Sequence, residues 1–171
     1  AESVPINVPG IMNASSANVF VAECDEYLHS VGVNVGSASD VNIYIYRLKE
    51  GYKNPIDGEL VDTISFTAEY PGFHRVAVNN PQEIHVGDAF SVVLEERTAS
   101  GNVVTVNMDL NLDNLKLINE FYLKLGGDST TPVFTSYGKG VVNKGESYFR
   151  IGDVWVDLYD IIGGANTFLM N

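Results

Sequence analysis

The chain has 171 residues, 45% of them apolar, and carries 10 basic against 22 acidic side chains, a net charge of −12. One domain of about this length hides roughly 70% of its unfolded-chain surface, and nine Tyr, eight Phe and one Trp argue against disorder. The charge argues against nucleic acid and anionic lipid as partners, and no apolar run approaches the ~18 residues of a membrane span.

Residues 1–16 are rich in Pro, Asn and Ser and read as an irregular lead-in or linker; residues 17–171 read as one domain. The first ten residues lack the basic start and apolar stretch of a signal peptide. From Val19 the pattern is that of strands, with short apolar runs broken by Gly, Asn, Asp and Pro every ~8–12 residues. Residues 19–24 form the first run. Residues 28–35 alternate, with His29, Val31, Val33 and Val35 on one face. Residues 41–48 alternate too: Val41, Ile43, Ile45 and Arg47 oppose Asn42, Tyr44, Tyr46 and Leu48. One face is aliphatic and the other carries paired tyrosines.

Strands are expected at 60–68 and 73–78, separated by Glu69-Tyr70-Pro71-Gly72, where Pro sets φ and Gly permits a positive φ. Residues 89–96 and 103–110 follow as further strands. Residues 110–125 carry an apolar stripe, Leu112, Leu115, Leu117, Ile118, Phe121, Tyr122 and Leu125, which suits a short helix but leaves strand open. Strands at 133–137, 147–151, 154–158 and 167–170 complete the series, with Gly152-Asp153 as a two-residue hairpin turn. About ten strands and at most one short helix predict an all-β, two-sheet antiparallel β-sandwich of jelly-roll character.

The ordered set of these segments resembles a known family. It runs Ala17-Asn18-Val19-Phe20, Leu28-His29-Ser30-Val31-Gly32-Val33, the alternating strand from Val41 to Tyr46, then Leu60-Val61. Tyr70-Pro71-Gly72-Phe73-His74-Arg75-Val76 follows, then Ile84-His85-Val86-Gly87-Asp88-Ala89-Phe90-Ser91-Val92-Val93. Gly145-Glu146-Ser147-Tyr148-Phe149 and Trp155-Val156-Asp157-Leu158 close it. Together they resemble the lectin-like β-sandwich domain that follows papain-family cysteine peptidase domains in secreted bacterial proteins. The resemblance covers most of the chain, from about Ala17 onward. It implies a lectin-like sandwich, an extracellular or cell-surface location, and a peptidase activity in a separate domain outside this chain. A fold resemblance does not by itself establish sugar binding.

Candidate chemistry is sparse. The one cysteine, Cys24, sits in Ala22-Glu23-Cys24-Asp25-Glu26, where carboxylates would raise a thiol pKa and oppose a nucleophilic role. His29, His74 and His85 show no metal-ligand spacing. Asp109, Asn111 and Asp113 have the Asp-x-Asn-x-Asp spacing of a calcium loop, and Glu120 falls at position 12. Asn114 stands where such a loop wants Gly, and interleaved leucines also suit an Asx-rich helix start. No pair among the 22 acids is singled out for glycoside hydrolysis.

The aromatics carry the stronger expectation, since sugar C–H faces stack on rings while nearby polar groups bind hydroxyls. Tyr44, Tyr46, Tyr70 and Trp155 are the candidate carbohydrate-binding residues, with core packing the competing role, above all for Trp155 between Val154 and Val156. The expectation is a non-catalytic ancillary module that recognises carbohydrate or cell-surface material, with calcium as a candidate ion. The alternative is a structural module that braces or docks a neighbouring peptidase domain and binds no ligand of its own.

Overall fold

In the computed structural model, residues 3–7, 14–97, 105–110, 143–162 and 166–168 are described. The long strands arise where period-two alternation meets turn residues. β1 (Ser3–Asn7), β2 (Ala14–Val21), β3 (Glu26–Val35), β4 (Ser39–Leu48), β5 (Gly58–Ala68) and β6 (Gly72–Ile84) come first. β7 (Ala89–Arg97), β8 (Thr105–Leu110), β9 (Ser147–Ile151) and β10 (Val154–Asp157) follow. A short helix, α1 (Leu158–Ile162), and β11 (Asn166–Phe168) end the series. All strand pairings among the described residues are antiparallel.

The main sheet has six strands in the order β10-β9-β2-β7-β4-β5, and β3 and β6 pair as a second sheet. These two sheets form the sandwich. A third small sheet has the order β1-β8-β11. The lead-in expected to be irregular over 1–16 therefore includes a strand, Ser3–Asn7, held by its partner β8. Such long-range pairing has no local sequence signature. Leu158, read as the end of a strand, instead begins α1. Asp157 caps that helix, accepting the Tyr159 amide at 2.9 Å, while its other oxygen accepts the Gly145 amide at 2.7 Å. The 110–125 stripe and the strand expected at 133–137 lie outside the described residues, apart from Leu110 at the end of β8.

The core fills the space between the sheets. From β3 come Val31, Val33 and Val35; from β4, Val41, Ile43 and Ile45; from β7, Val92 and Leu94. Ile64, Ala68, Val78 and Leu158 complete the buried set, with Phe20 stacked on Phe90 at a centroid distance of 5.4 Å. Fully burying each Val or Ile contributes about 1.5–3 kcal/mol. The β9–β10 hairpin turns at Gly152, whose φ of 59° suits glycine.

Two buried carboxylates sit where apolar residues would be expected. Asp62 is at an inward position of β5, across from Ile45. Its Oδ2 accepts the amides of Asn79 at 2.7 Å and Asn80 at 3.5 Å. Its Oδ1 accepts Asn79 Nδ2 at 3.0 Å and its neighbour's Thr63 amide at 2.8 Å. The carboxylate thus stitches β5 of the main sheet to β6 of the second. Burial raises its pKa, but the donated hydrogen bonds outweigh burial and hold it below 3.8. Glu96, at the end of β7, is only 2% exposed, and its Oε2 has no hydrogen-bond partner among the described residues. Burial pushes its pKa up to about 8, opposed only in part by the polar groups of Gly36 and Ser39 beside it.

The two acids give opposite pH signatures. Asp62 stabilises the fold fully above its unfolded value of 3.8, and that contribution disappears as pH falls through its lower native pKa. Asp62→Ala strands several buried donors and costs about 2–4 kcal/mol in urea unfolding at neutral pH; a loss below about 0.5 kcal/mol would show that the stitch is dispensable. Glu96 favours the protonated native state, so stability declines as pH rises from 4.5 through about 8. Glu96→Gln removes that decline and makes the protein more stable than the parent above about pH 8, as thermal melts across pH would read.

Candidate functional site

The main sheet buries apolar side chains on both of its faces. The alternation that sends Val41, Ile43 and Ile45 into the sandwich sends Tyr44, Tyr46 and Leu48 outward. In register, Tyr44 lies opposite Val93 of β7 and Thr63 of β5, and Val93 lies opposite Ala17 of β2. Ala17 in turn faces Tyr148 of β9, and Tyr148 faces Asp157 beside Trp155 on β10. The result is a second apolar cluster of Ala17, Val19, Leu48, Val93 and Tyr148, against which Tyr44, Tyr46, Tyr52, Ala89 and Trp155 pack half-buried.

The connection from β4 to β5 adds to this face. Residues 49–57 form a compact loop, with Lys49 and Asp57 joined as an ion pair and the Lys53 amide on Asp57 Oδ2 at 3.1 Å. Pro55 is fully buried, and its carbonyl accepts the hydroxyl of Ser91. This seats Tyr52 on the aromatic cluster. The loop closes at Gly58, where a Cβ would overlap the Arg47 carbonyl, so only glycine fits.

The tyrosines differ in environment. Tyr148 is 6% exposed; burial, with the charge of Asp157 in support, pushes its phenol pKa up to about 12. Tyr44 is half-buried, and its hydroxyl donates to Glu95 Oε2 at 3.1 Å. Partial burial and that carboxylate raise its pKa, leaving the phenol protonated at neutral pH. Beside this pair, two further bonds cross the β4–β5 seam: Ser65 Oγ donates to Asn42 Oδ1 at 2.7 Å, and Thr67 Oγ1 to Asp40 Oδ1 at 2.8 Å.

The structure therefore brings Tyr44, Tyr46 and Trp155 to one face and adds Tyr52, Tyr148 and Glu95. Tyr70 is not among them. It is 72% exposed on the β5–β6 turn, where His74 Nε2 lies 3.0 Å from its carbonyl. That turn is roughly 17 Å along β4 from Tyr44, at ~3.4 Å per residue. Of the calcium candidates, Asp109 lies in β8, opposite Ser3 and Thr167. Asn111, Asp113 and Glu120 lie outside the described residues. Among the described residues, no three His, Cys, Asp or Glu side chains cluster as a metal site, and no helix is long and apolar enough to cross a membrane. Cys24 is exposed.

The described residues thus form an antiparallel β-sandwich with a half-exposed aromatic face on its main sheet. Residues 7–122 match the model of the lectin-like domain, and the chain belongs to that family. Two solved structures share its fold. A clostridial cysteine protease, Cwp84 after propeptide cleavage, superposes with a TM-score of 0.65 at 16% identity, covering 98% of this chain and 36% of that one. The cysteine protease and lectin-like domains of Cwp84, a surface layer associated protein of Clostridium difficile, give 0.61 at 17% identity, covering 92% and 31%. This chain thus spans about a third of the length of those two. No curated protein matches it.

Burial divides the tyrosines of this face, with Tyr148 buried and Tyr44 half-exposed. Tyr148→Ala costs about 3–5 kcal/mol by cavity formation. Tyr44→Ala, at a half-exposed position, costs about 1 kcal/mol. Urea unfolding followed by the single tryptophan, Trp155, measures both; a larger loss at 44 than at 148 would make Tyr44 a core residue instead.

Proposed function

We propose that this chain is a non-catalytic module of an extracellular or cell-surface bacterial protein, and that the outer face of its main sheet recognises carbohydrate. The observation that carries this is Tyr44. Its strand already fills the core with Val41, Ile43 and Ile45, so the half-exposed ring is surplus to the sandwich. It lies beside Glu95, Asn42 and Ser65, which supply polar partners at the ring's edge. Ring stacking plus a few hydrogen bonds on an open face gives weak binding per site. Tyr46 and Trp155 extend the apolar surface, and Tyr70 is a separate contact on the β5–β6 turn. Calcium at Asp109, Asn111, Asp113 and Glu120 belongs to the same proposal as an accessory ion.

A second reading is favoured by one specific observation. The two similar solved chains are about three times as long as this one and are described as a cysteine protease, in one case with its lectin-like domain. On that reading the sandwich braces or docks a peptidase domain. Native affinity gels with plant, mucin and bacterial-wall polysaccharides, run with calcium and with chelator, separate the two. The expected result is retardation by at least one polysaccharide, abolished in Tyr44→Ala. Loss of retardation in chelator would bring in the calcium cluster. No retardation across the panel would overturn the carbohydrate reading in favour of the brace.

A further inference from the structure

We infer that the Tyr44–Glu95 stripe selects sugars bearing a free amine, so that its ligand is a glycan with unacetylated amino groups. This inference rests on the carbohydrate reading above and deepens it.

The argument starts from where the protons go. A side-chain hydroxyl has one proton to donate and two lone pairs to accept with. On this face three such protons are spent inside the sheet. Tyr44 donates to Glu95, Ser65 to Asn42, and Thr67 to Asp40. What those groups turn toward solvent is lone pairs: three hydroxyl oxygens and the carboxylates of Glu95 and Asp40. Among the described residues, the donors on the stripe outside these bonds include Asn42 Nδ2 and the Thr63 hydroxyl, while Arg97, across from Asp40 at the far end, is engaged in an interaction of its own. Around Tyr44 itself the stripe is weighted toward acceptors.

A ligand complementary to such a stripe is rich in donors. An ammonium group has three donors and no acceptor. Next to Tyr44 it would meet a carboxylate, which gives a charge-assisted hydrogen bond, and the negative face of an aromatic ring. The C–H face of the same sugar would cover Tyr44. Uronates and phosphate-bearing polymers are acceptor-rich and anionic, and a protein of net charge −12 repels them. The setting also favours a polymer over a buried end group, because β5 is the edge of the main sheet and Thr63, Ser65 and Thr67 are exposed along it. A lysine-rich peptide offers the amine without the stacking ring face, so the sugar is the better fit to Tyr44.

The test is calorimetric titration of the full 171-residue chain, at a pH where the amine is protonated. The probes are glucosamine oligomers, their N-acetylated counterparts, oligogalacturonate and oligolysine. Glucosamine oligomers are expected to bind about tenfold more tightly than the acetylated series. Oligogalacturonate is expected not to bind. E95Q is expected to erase the preference with an unchanged melting curve. E69Q, which removes an exposed charge on the distant β5–β6 turn, is expected to keep it. Should E95Q fail to fold, salt keeps the question open to test: the preference in the parent protein must shrink steeply between about 20 mM and 500 mM salt if it is ionic. Equal affinity for the two series, or a preference that survives E95Q, overturns the amine assignment and leaves the carbohydrate reading standing. Binding to oligolysine alone, or to no sugar at all, overturns the carbohydrate reading together with it.

Discussion

The structure depends on β4 having two apolar faces. A strand in a simple sandwich alternates between core and water. Here Val41, Ile43 and Ile45 are at most 1% exposed, while Tyr44, Tyr46 and Leu48 pack into a second cluster on the other side. β7, its neighbour, does the same with Val92 and Leu94 inward and Val93 outward. These strands lie inside the six-stranded sheet, paired on both sides. The second cluster is what allows a loop such as 49–57 to fold down onto the sheet, with Pro55 as its anchor. The aromatic face is thus a consequence of the same alternation that builds the core. A substitution that shifted the register of β4 by one residue would exchange the two faces and lose both.

Much of this was legible in the sequence, because period-two alternation is a local signal. The strand at 41–48 and its two faces were expected from spacing alone, and Ser39–Leu48 is what forms. The hairpin at Gly152-Asp153 was expected from turn chemistry, and the register of β9 with β10 agrees. β6 runs to Ile84 although its expected span stops at 78. Asp62 supplies the reason: it accepts the amides of Asn79 and Asn80 and holds that polar stretch extended against β5. No local pattern announces a partner 17 residues away. Glu95 was missed as a site residue for the same reason, being 51 residues from Tyr44. Tyr148 looked like one more strand aromatic until the pairing of β9 with β2 placed it on the shared face. Tyr70 carries the opposite lesson. Its residue type matched the other aromatics, but it sits on a turn at the far end of β4, apart from the Tyr44 cluster.

Asp62 and Glu96 show how environment rather than residue type decides what a buried acid does. Both are less than 10% exposed. Asp62 is surrounded by N–H donors, and the sum of four hydrogen bonds outweighs desolvation, so it remains an anion and acts as a fastener between sheets. Glu96 has fewer donors and an unpartnered oxygen, so desolvation dominates and the neutral acid is favoured. The consequence is a fold weakened at both ends of the pH scale by different groups, with its best stability on the mildly acidic side of neutrality. A protein with 22 acidic side chains has a further reason to prefer that range, because its own charge repulsion falls as carboxylates protonate.

The two functional readings make different demands on this molecule. A brace needs a surface matched to one partner, and such surfaces carry a well-packed apolar centre fully covered on docking. The outer face has the apolar centre, but its most exposed margin is a row of hydroxyls, amides and carboxylates already bonded to one another across β4, β5 and β7. Covering that row with protein would strip water from it and require a matching set of donors along its whole length. A sugar polymer brings hydroxyls at regular spacing and leaves much of the row in water. The exposed Phe73 and Tyr70 near the β5–β6 turn lie apart from that row. The half-exposed ring of Tyr44 is therefore where the two readings can be told apart.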